Sequence, residues 1–130
     1  MIKPIFDPIT YEVKKSSFIS YIFRFESKTE LKNILNQLKK EHKKSRHICY
    51  SYIINNDGVE SGGFSDDGEP KNTAGRPMFE LMRIKNISNV LVVVIRYFGG
   101  IKLGAGGLIK AYRISSSQAI DKYLKETKND

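Results

Sequence analysis

Two stretches of this sequence concentrate the residue types that carry chemistry. The first is SDDGEPKNTAGRP, Ser65 to Pro77, where Asp66, Asp67 and Glu69 fall within four residues around Gly68. Carboxylates gathered this way can hold a hydrated Mg²⁺ or work as an acid/base pair, which would suit a metal-assisted phosphoryl or ester hydrolase. The same residues can instead serve turn geometry and ion pairs to Arg76 or Arg96 that fix the loop. The second stretch is RYFGGIKLGAGGLIKAY, residues 96–112, which holds five of the chain's ten glycines between an apolar run and an expected helix. Glycine amides approach a phosphate closely, and a helix N-terminus favours negative charge. Lys102, Lys110 and Arg113 surround this joint, so an anion site and a purely structural turn both remain open.

No nucleotide-binding motif survives inspection. A dinucleotide fingerprint would continue Gly104 and Gly106 with a third glycine at position 109, which is isoleucine. Gly99 and Gly104 have Walker A spacing, yet Ala105 stands where the lysine should be. His42 closes an expected helix, where a positive charge suits the dipole. His47 and Cys49 share one face of an expected strand, but a strand cysteine is more often a small core residue than a nucleophile. Tyr50, Tyr52, Tyr97 and Phe98 can stack on bases if exposed, although packing in the core suits most of them better.

The chain has 130 residues, 40% hydrophobic and 28% charged, which suggests one soluble domain. The apolar run Val90 to Ile95 is too short to span a membrane, no signal peptide is evident, and the lone Cys49 excludes an internal disulfide. The cytoplasm is the expected location, with no membrane contact and no cofactor or bound metal. Net charge is +8, with 16 lysines and 6 arginines, a bias that AT-rich codons can also produce. The distribution says more than the total. Residues 57–69 carry five acids and no base, whereas residues 83–125 carry eight bases and one acid. Such a field steers charged partners.

The elements that must position these groups follow from periodicity. ITYEV (9–13) and FISYIFRF (18–25) read as strands joined by a KKSS hairpin. Ser27 and Glu30 form a capping box ahead of the stripe Leu31, Ile34, Leu35 and Leu38. HICYSYII (47–54) alternates, placing Ile48, Tyr50, Tyr52 and Ile54 on one face and ending in Asn56-Asp57-Gly58. Residues 55–72 read as a long irregular loop of the kind that is often functional. A short helix follows, PMFELMRI, with Pro77 near its first turn, then a buried central strand, NVLVVVI. A closing helix runs from about Gly106 to Lys125, with a small-residue face of Leu108, Ala111, Tyr112, Ser115, Ala119 and Tyr123. The expectation is an α+β domain, a mixed sheet of about four main strands covered chiefly on one face by helices.

Taken together, KKSSFIS (14–20), RHICYSY (46–52), SDDGEP (65–70), TAGRP (73–77) and VVVIRYFGGIKLGAGGLIKAY (92–112) resemble the IMPACT family, over roughly residues 14–113. The resemblance implies a fold like the second domain of a ribosomal small-subunit protein. It also implies a non-enzymatic role in translation, with RNA, the ribosome or a translation-related protein as partner. The motif positions then mark a candidate binding surface with no catalytic residue. It takes Arg46 and His47 from the strand motif, Asp66, Asp67 and Glu69 from the acidic bend, and Thr73 and Arg76 from TAGRP. The glycine-rich motif contributes Arg96, Tyr97, Gly99, Gly100, Lys102, Gly104, Gly106, Gly107, Lys110 and Arg113. Eukaryotic members carry a further N-terminal interaction domain, and bacterial members usually add a ferredoxin-like domain after the last helix. Residues 1–130 are expected to form the core module alone. Lys71-Asn72 also replaces the small residues expected before TAGRP, which makes that loop more basic.

Overall fold

The computed structural model describes residues 1–127. The chain runs β1 (Ile9–Val13), β2 (Ser16–Arg24), a 3₁₀ turn (Lys28–Glu30), α1 (Leu31–Glu41), β3 (His47–Asn56), β4 (Val59–Ser65), α2 (Gly75–Ile84), β5 (Val90–Tyr97) and α3 (Gly104–Thr127). One five-stranded sheet has the order β1-β2-β5-β3-β4, so the last strand in sequence is the middle one in space. The fold class is α+β, as the element order predicts. Among the described residues no helix is long and apolar enough to cross a membrane.

The sheet differs from expectation in two ways. Every pair is antiparallel, so the sheet is not mixed. The β2–α1–β3 connection does return the chain in parallel, as helical crossovers do, but β5 inserts between the two strands and runs opposite to both. A fifth strand, β4, also occupies part of the segment read as irregular. Its sequence, VESGGFS, is almost wholly exposed and so carries no apolar alternation. Its glycines leave room for rings from neighbouring elements. A Cβ on Gly62 would lie 2.7 Å from the Phe79 ring, and one on Gly63 the same distance from the Tyr52 hydroxyl oxygen.

β5 is apolar on both faces because both are covered. Val90, Val92 and Val94 join Phe18, Ile22, Cys49 and Ile53 beneath α2 and α3. Leu91, Val93 and Ile95 join Phe23, Phe25 and Ile48 on the other face, where α1 contributes Ile34 and Leu38. Two helices on one face and one on the other match the expected uneven cover. Ser27 caps the 3₁₀ turn through Thr29 N at 3.4 Å, while Glu30 makes no capping bond, so the α-helix itself begins only at Leu31. The small-residue face of α3 is real: Ala111, Ser115, Ser116 and Ala119 are buried.

His42 corrects its expected role. Instead of presenting a charge to the end of α1, its ring is bonded on both sides, Nε2 to the Tyr21 hydroxyl at 2.7 Å and Nδ1 to the Tyr97 hydroxyl at 2.6 Å. A neutral ring fits this arrangement, donating to one hydroxyl and accepting from the other. Burial lowers the His42 pKa from its ordinary 6.5, partly offset by the nearby Glu41 carboxylate. The ring therefore pins the end of α1 to β2 and β5 while uncharged. Because the folded value lies below the unfolded one, this contribution is full above pH 6.5 and is lost as pH falls through the lower folded value. Urea unfolding at stepped pH will show a shallower loss of stability below pH 6.5 in His42→Gln than in the unsubstituted chain.

Candidate functional site

The site begins with strand parity. On β5 the alternation that sends Val92 and Val94 under α3 sends Arg96 the same way. The β3–β5 register sets His47 directly opposite Arg96, so both side chains leave the sheet on one face. Arg96 is only 6% exposed and needs a counter-charge. Glu69 supplies it. Arg96 Nη1 donates to both Glu69 carboxylate oxygens at 2.9 and 2.8 Å. Tyr112, reaching from α3, donates to Glu69 Oε2 at 2.5 Å. His47 Nε2 lies 3.4 Å from Glu69 Oε1, and His47 Nδ1 donates to the Asp67 carbonyl at 2.6 Å. Because Nη1 makes both bonds, Arg96 Nε is buried without a hydrogen-bond partner.

The acidic bend is held by its own first two acids. Asp66 Oδ1 accepts from the amides of Ala74 and Gly75 at 3.1 and 2.9 Å, and Oδ2 accepts from Asn72 N at 2.8 Å. It thereby caps α2, whose N-cap residue Ala74 has no side-chain acceptor. Asp67 Oδ2 accepts from Ile48 N at 2.7 Å, fastening the bend to β3. Asp67 and Gly68 both have positive φ, 43° and 84°, and this tight reversal turns Glu69 inward. Thr73 is buried and donates to the Pro70 carbonyl at 2.5 Å, closing the next turn. The three carboxylates therefore serve three separate sets of donors and do not converge on one point. Of the two arginines expected to pair with them, Arg96 does so. Arg76 pairs with Glu80 instead, at 3.5 Å.

Above this floor lies a cleft of about 460 Å³. Arg46, His47 and Arg96 line it with Gly68, Glu69 and Pro70 of the bend, and Phe98, Lys102 and Leu103 with Gly104, Ala105 and Leu108 of the joint and α3. The acidic bend and the glycine-rich joint thus meet in one depression, where Arg46 and Lys102 accompany a carboxylate already paired with Arg96. Gly104 opens α3 at φ 72°, and Gly104, Ala105 and Gly106 are exposed. The Arg46 guanidinium lies over the Phe98 ring at 4.9 Å, and that of Arg96 at 5.4 Å.

Other expected site residues lie elsewhere. Tyr97, one residue past Arg96, points to the opposite face and binds His42. Lys110 and Gly107 line a neighbouring depression with Lys14, which shares only Leu103 with the cleft. Arg113 lies farther along α3, beside Leu81 and Lys85. Gly99 is structural: its amide donates to Ser16 Oγ at 3.3 Å, and a Cβ there would lie 1.9 Å from the Lys15 carbonyl oxygen. Gly100 takes a φ of 91°. Helical spacing puts Tyr112 on a packing face and carries no signal of the bond its hydroxyl makes to Glu69. Cys49 is the core residue expected of it: it is fully buried, and burial pushes its thiol well above the ordinary range, as it does the Tyr112 hydroxyl. Tyr112 stays a hydrogen-bond donor to Glu69, and the Cys49 thiol is held protonated in the core.

Residues 14–120 match the family model of the Impact N-terminal domain, and the chain belongs to that family. IMPACT family member YvyE of Bacillus subtilis is 42% identical over 110 residues, which cover 84% of this chain and 50% of the relative. A crystal structure described as that of a hypothetical protein superposes with a TM-score of 0.83 at 37% identity, covering 91% of this chain and 58% of the other. The two-domain translational regulator Yih1 superposes with a TM-score of 0.54 at 28% identity, over 87% of this chain and 45% of Yih1. The chain thus spans about half the length of these proteins.

Replacing Glu69 with Gln leaves Arg96 buried without its counter-charge and will lower unfolding stability in urea by about 3 kcal/mol. Gly99→Ala forces the 96–103 loop away from the β1–β2 hairpin and will cost about 2 kcal/mol, whereas Gly106→Ala, with open space around it, will leave stability unchanged or slightly raised.

Proposed function

We propose that this chain is a non-enzymatic binding domain of translational control that contacts RNA, free or in the ribosome, through the cleft and the basic surface beside it. The observation that carries this reading is that the exposed Arg46 and Lys102 line one cleft with the exposed start of α3, while Arg96 and His47 in its floor are turned to Glu69. Lys14 and Lys110 extend the positive surface past Leu103. Such an arrangement suits phosphate oxygens, which accept from guanidinium groups, ammonium groups and helix amides. Family membership and the likeness to the translational regulator Yih1 support a role in translation. A cytoplasmic location belongs to the same reading. The hydrolase reading finds no support in the acidic bend, where all three carboxylates already accept hydrogen bonds from the protein.

Phosphate contacts release counterions, so binding will weaken with salt, each neutralised phosphate adding about −0.7 to −0.9 to the log–log slope. Lys102→Ala combined with Lys110→Ala will weaken retention on RNA or ribosomes and flatten that slope by about 1.5. The absence of retention at low salt would sink the reading. Recovery of a complex from native lysate that survives nuclease would replace RNA with a translation-related protein as the partner.

A further inference from the structure

The cleft is built for more than a phosphate backbone. A backbone contact needs only exposed donors on an open surface, and this depression is concave. Its volume of about 460 Å³ lies in the range of small-molecule sites. Pro70, Phe98, Leu103, Ala105 and Leu108 contribute apolar walls, which do nothing for a phosphate and gain from covering by a flat ring. Phe98 is 37% exposed, and the Arg46 and Arg96 guanidiniums against it make a cationic and aromatic wall of the kind on which bases stack. Beneath it, Arg96 lines the floor, and its buried Nε has no hydrogen-bond partner among the described residues because both Glu69 oxygens are taken by Nη1. The carboxylate in the floor is neutralised by Arg96 and bonded by the Tyr112 hydroxyl, so Arg46 and Lys102 leave the cleft a positive balance.

We propose that this cleft holds one nucleotide unit. Its phosphate sits at the exposed start of α3 beside Lys102, and its base lies against the Arg46–Phe98 pair with Leu103 and Leu108. The unit is either a free nucleoside monophosphate or an unpaired residue of single-stranded RNA; the recognising chemistry is the same. A duplex does not qualify, because its bases cannot enter. This inference rests on the anion-binding reading of the cleft, but not on RNA being the physiological partner.

The test is calorimetry, or NMR titration of the labelled chain, with a nucleoside 5′-monophosphate, the matching nucleoside and inorganic phosphate. The monophosphate will bind roughly tenfold tighter than either fragment. Lys102→Ala will weaken the monophosphate and spare the nucleoside. Phe98→Ala, with its fold checked by circular dichroism, will weaken both and spare inorganic phosphate. Single-stranded RNA that displaces the monophosphate identifies RNA as the source; failure to displace it identifies the free nucleotide. A monophosphate that binds no better than inorganic phosphate overturns the proposal. Duplex RNA binding as well as single strands, without displacement by the monophosphate, overturns it while leaving the RNA reading intact. Monophosphate binding with no affinity for RNA of either form sustains the nucleotide site and removes RNA as partner.

Discussion

The buried pair of Glu69 and Arg96 organises this molecule. It joins three segments distant in sequence: the bend after β4, the end of the central strand, and, through Tyr112, the last helix. A guanidinium at the end of an otherwise apolar strand is costly to bury alone, by several kcal/mol. The chain meets that cost with one carboxylate, delivered by a bend that two other acids hold in place. Asp66 and Asp67 are thus the scaffold and Glu69 its product. The cleft exists because this scaffold brings a loop over the sheet end just where the glycine-rich joint lifts α3 away from it.

This arrangement explains why an acidic motif borders a basic surface without cancelling it. Glu69 is buried against Arg96, while Asp66 and Asp67 are tied to backbone amides on the flank of the bend. Arg46 and Lys102 are exposed, line the depression and make no ion pair among the described residues. A linear count of charges along the chain therefore understates how positive this corner is, and spatial sorting by hydrogen bonding produces the contrast.

Much of the fold was legible where one face of an element is buried. β1 matches its expected span, α1 carries its stripe as read, and the unbroken apolar run of β5 marks the middle of the sheet. The strand missed, β4, is an exposed edge whose two glycines accommodate rings from elsewhere, and nothing local announces it. The antiparallel insertion of β5 was not legible, because strand order depends on contacts between distant segments. Within the site, alternation correctly grouped His47 with Cys49. The same alternation separates Tyr97 from Arg96, yet adjacency within one motif grouped them. Lys110 and Arg113 were grouped by proximity along the chain, while helix rotation and rise carry them away from the cleft. The Glu69–Arg96 contact was one of two pairings open to the sequence, and only the register of β3 with β5 decides between them.

The late arrival of the central strand has a consequence for biogenesis. As the chain leaves the ribosome, β1 through β4 are synthesised first, and β2 and β3 then lack the partner that belongs between them. Ser17 must wait for Tyr97 and Arg24 for Val90. Until then two apolar strand edges stand unpaired, and closure is governed by long-range encounters, which are slow. The hairpins β1–β2 and β3–β4 are local and can form early. What emerges is two preformed halves with a slot between them, sealed when residues 90–97 thread in as a wedge.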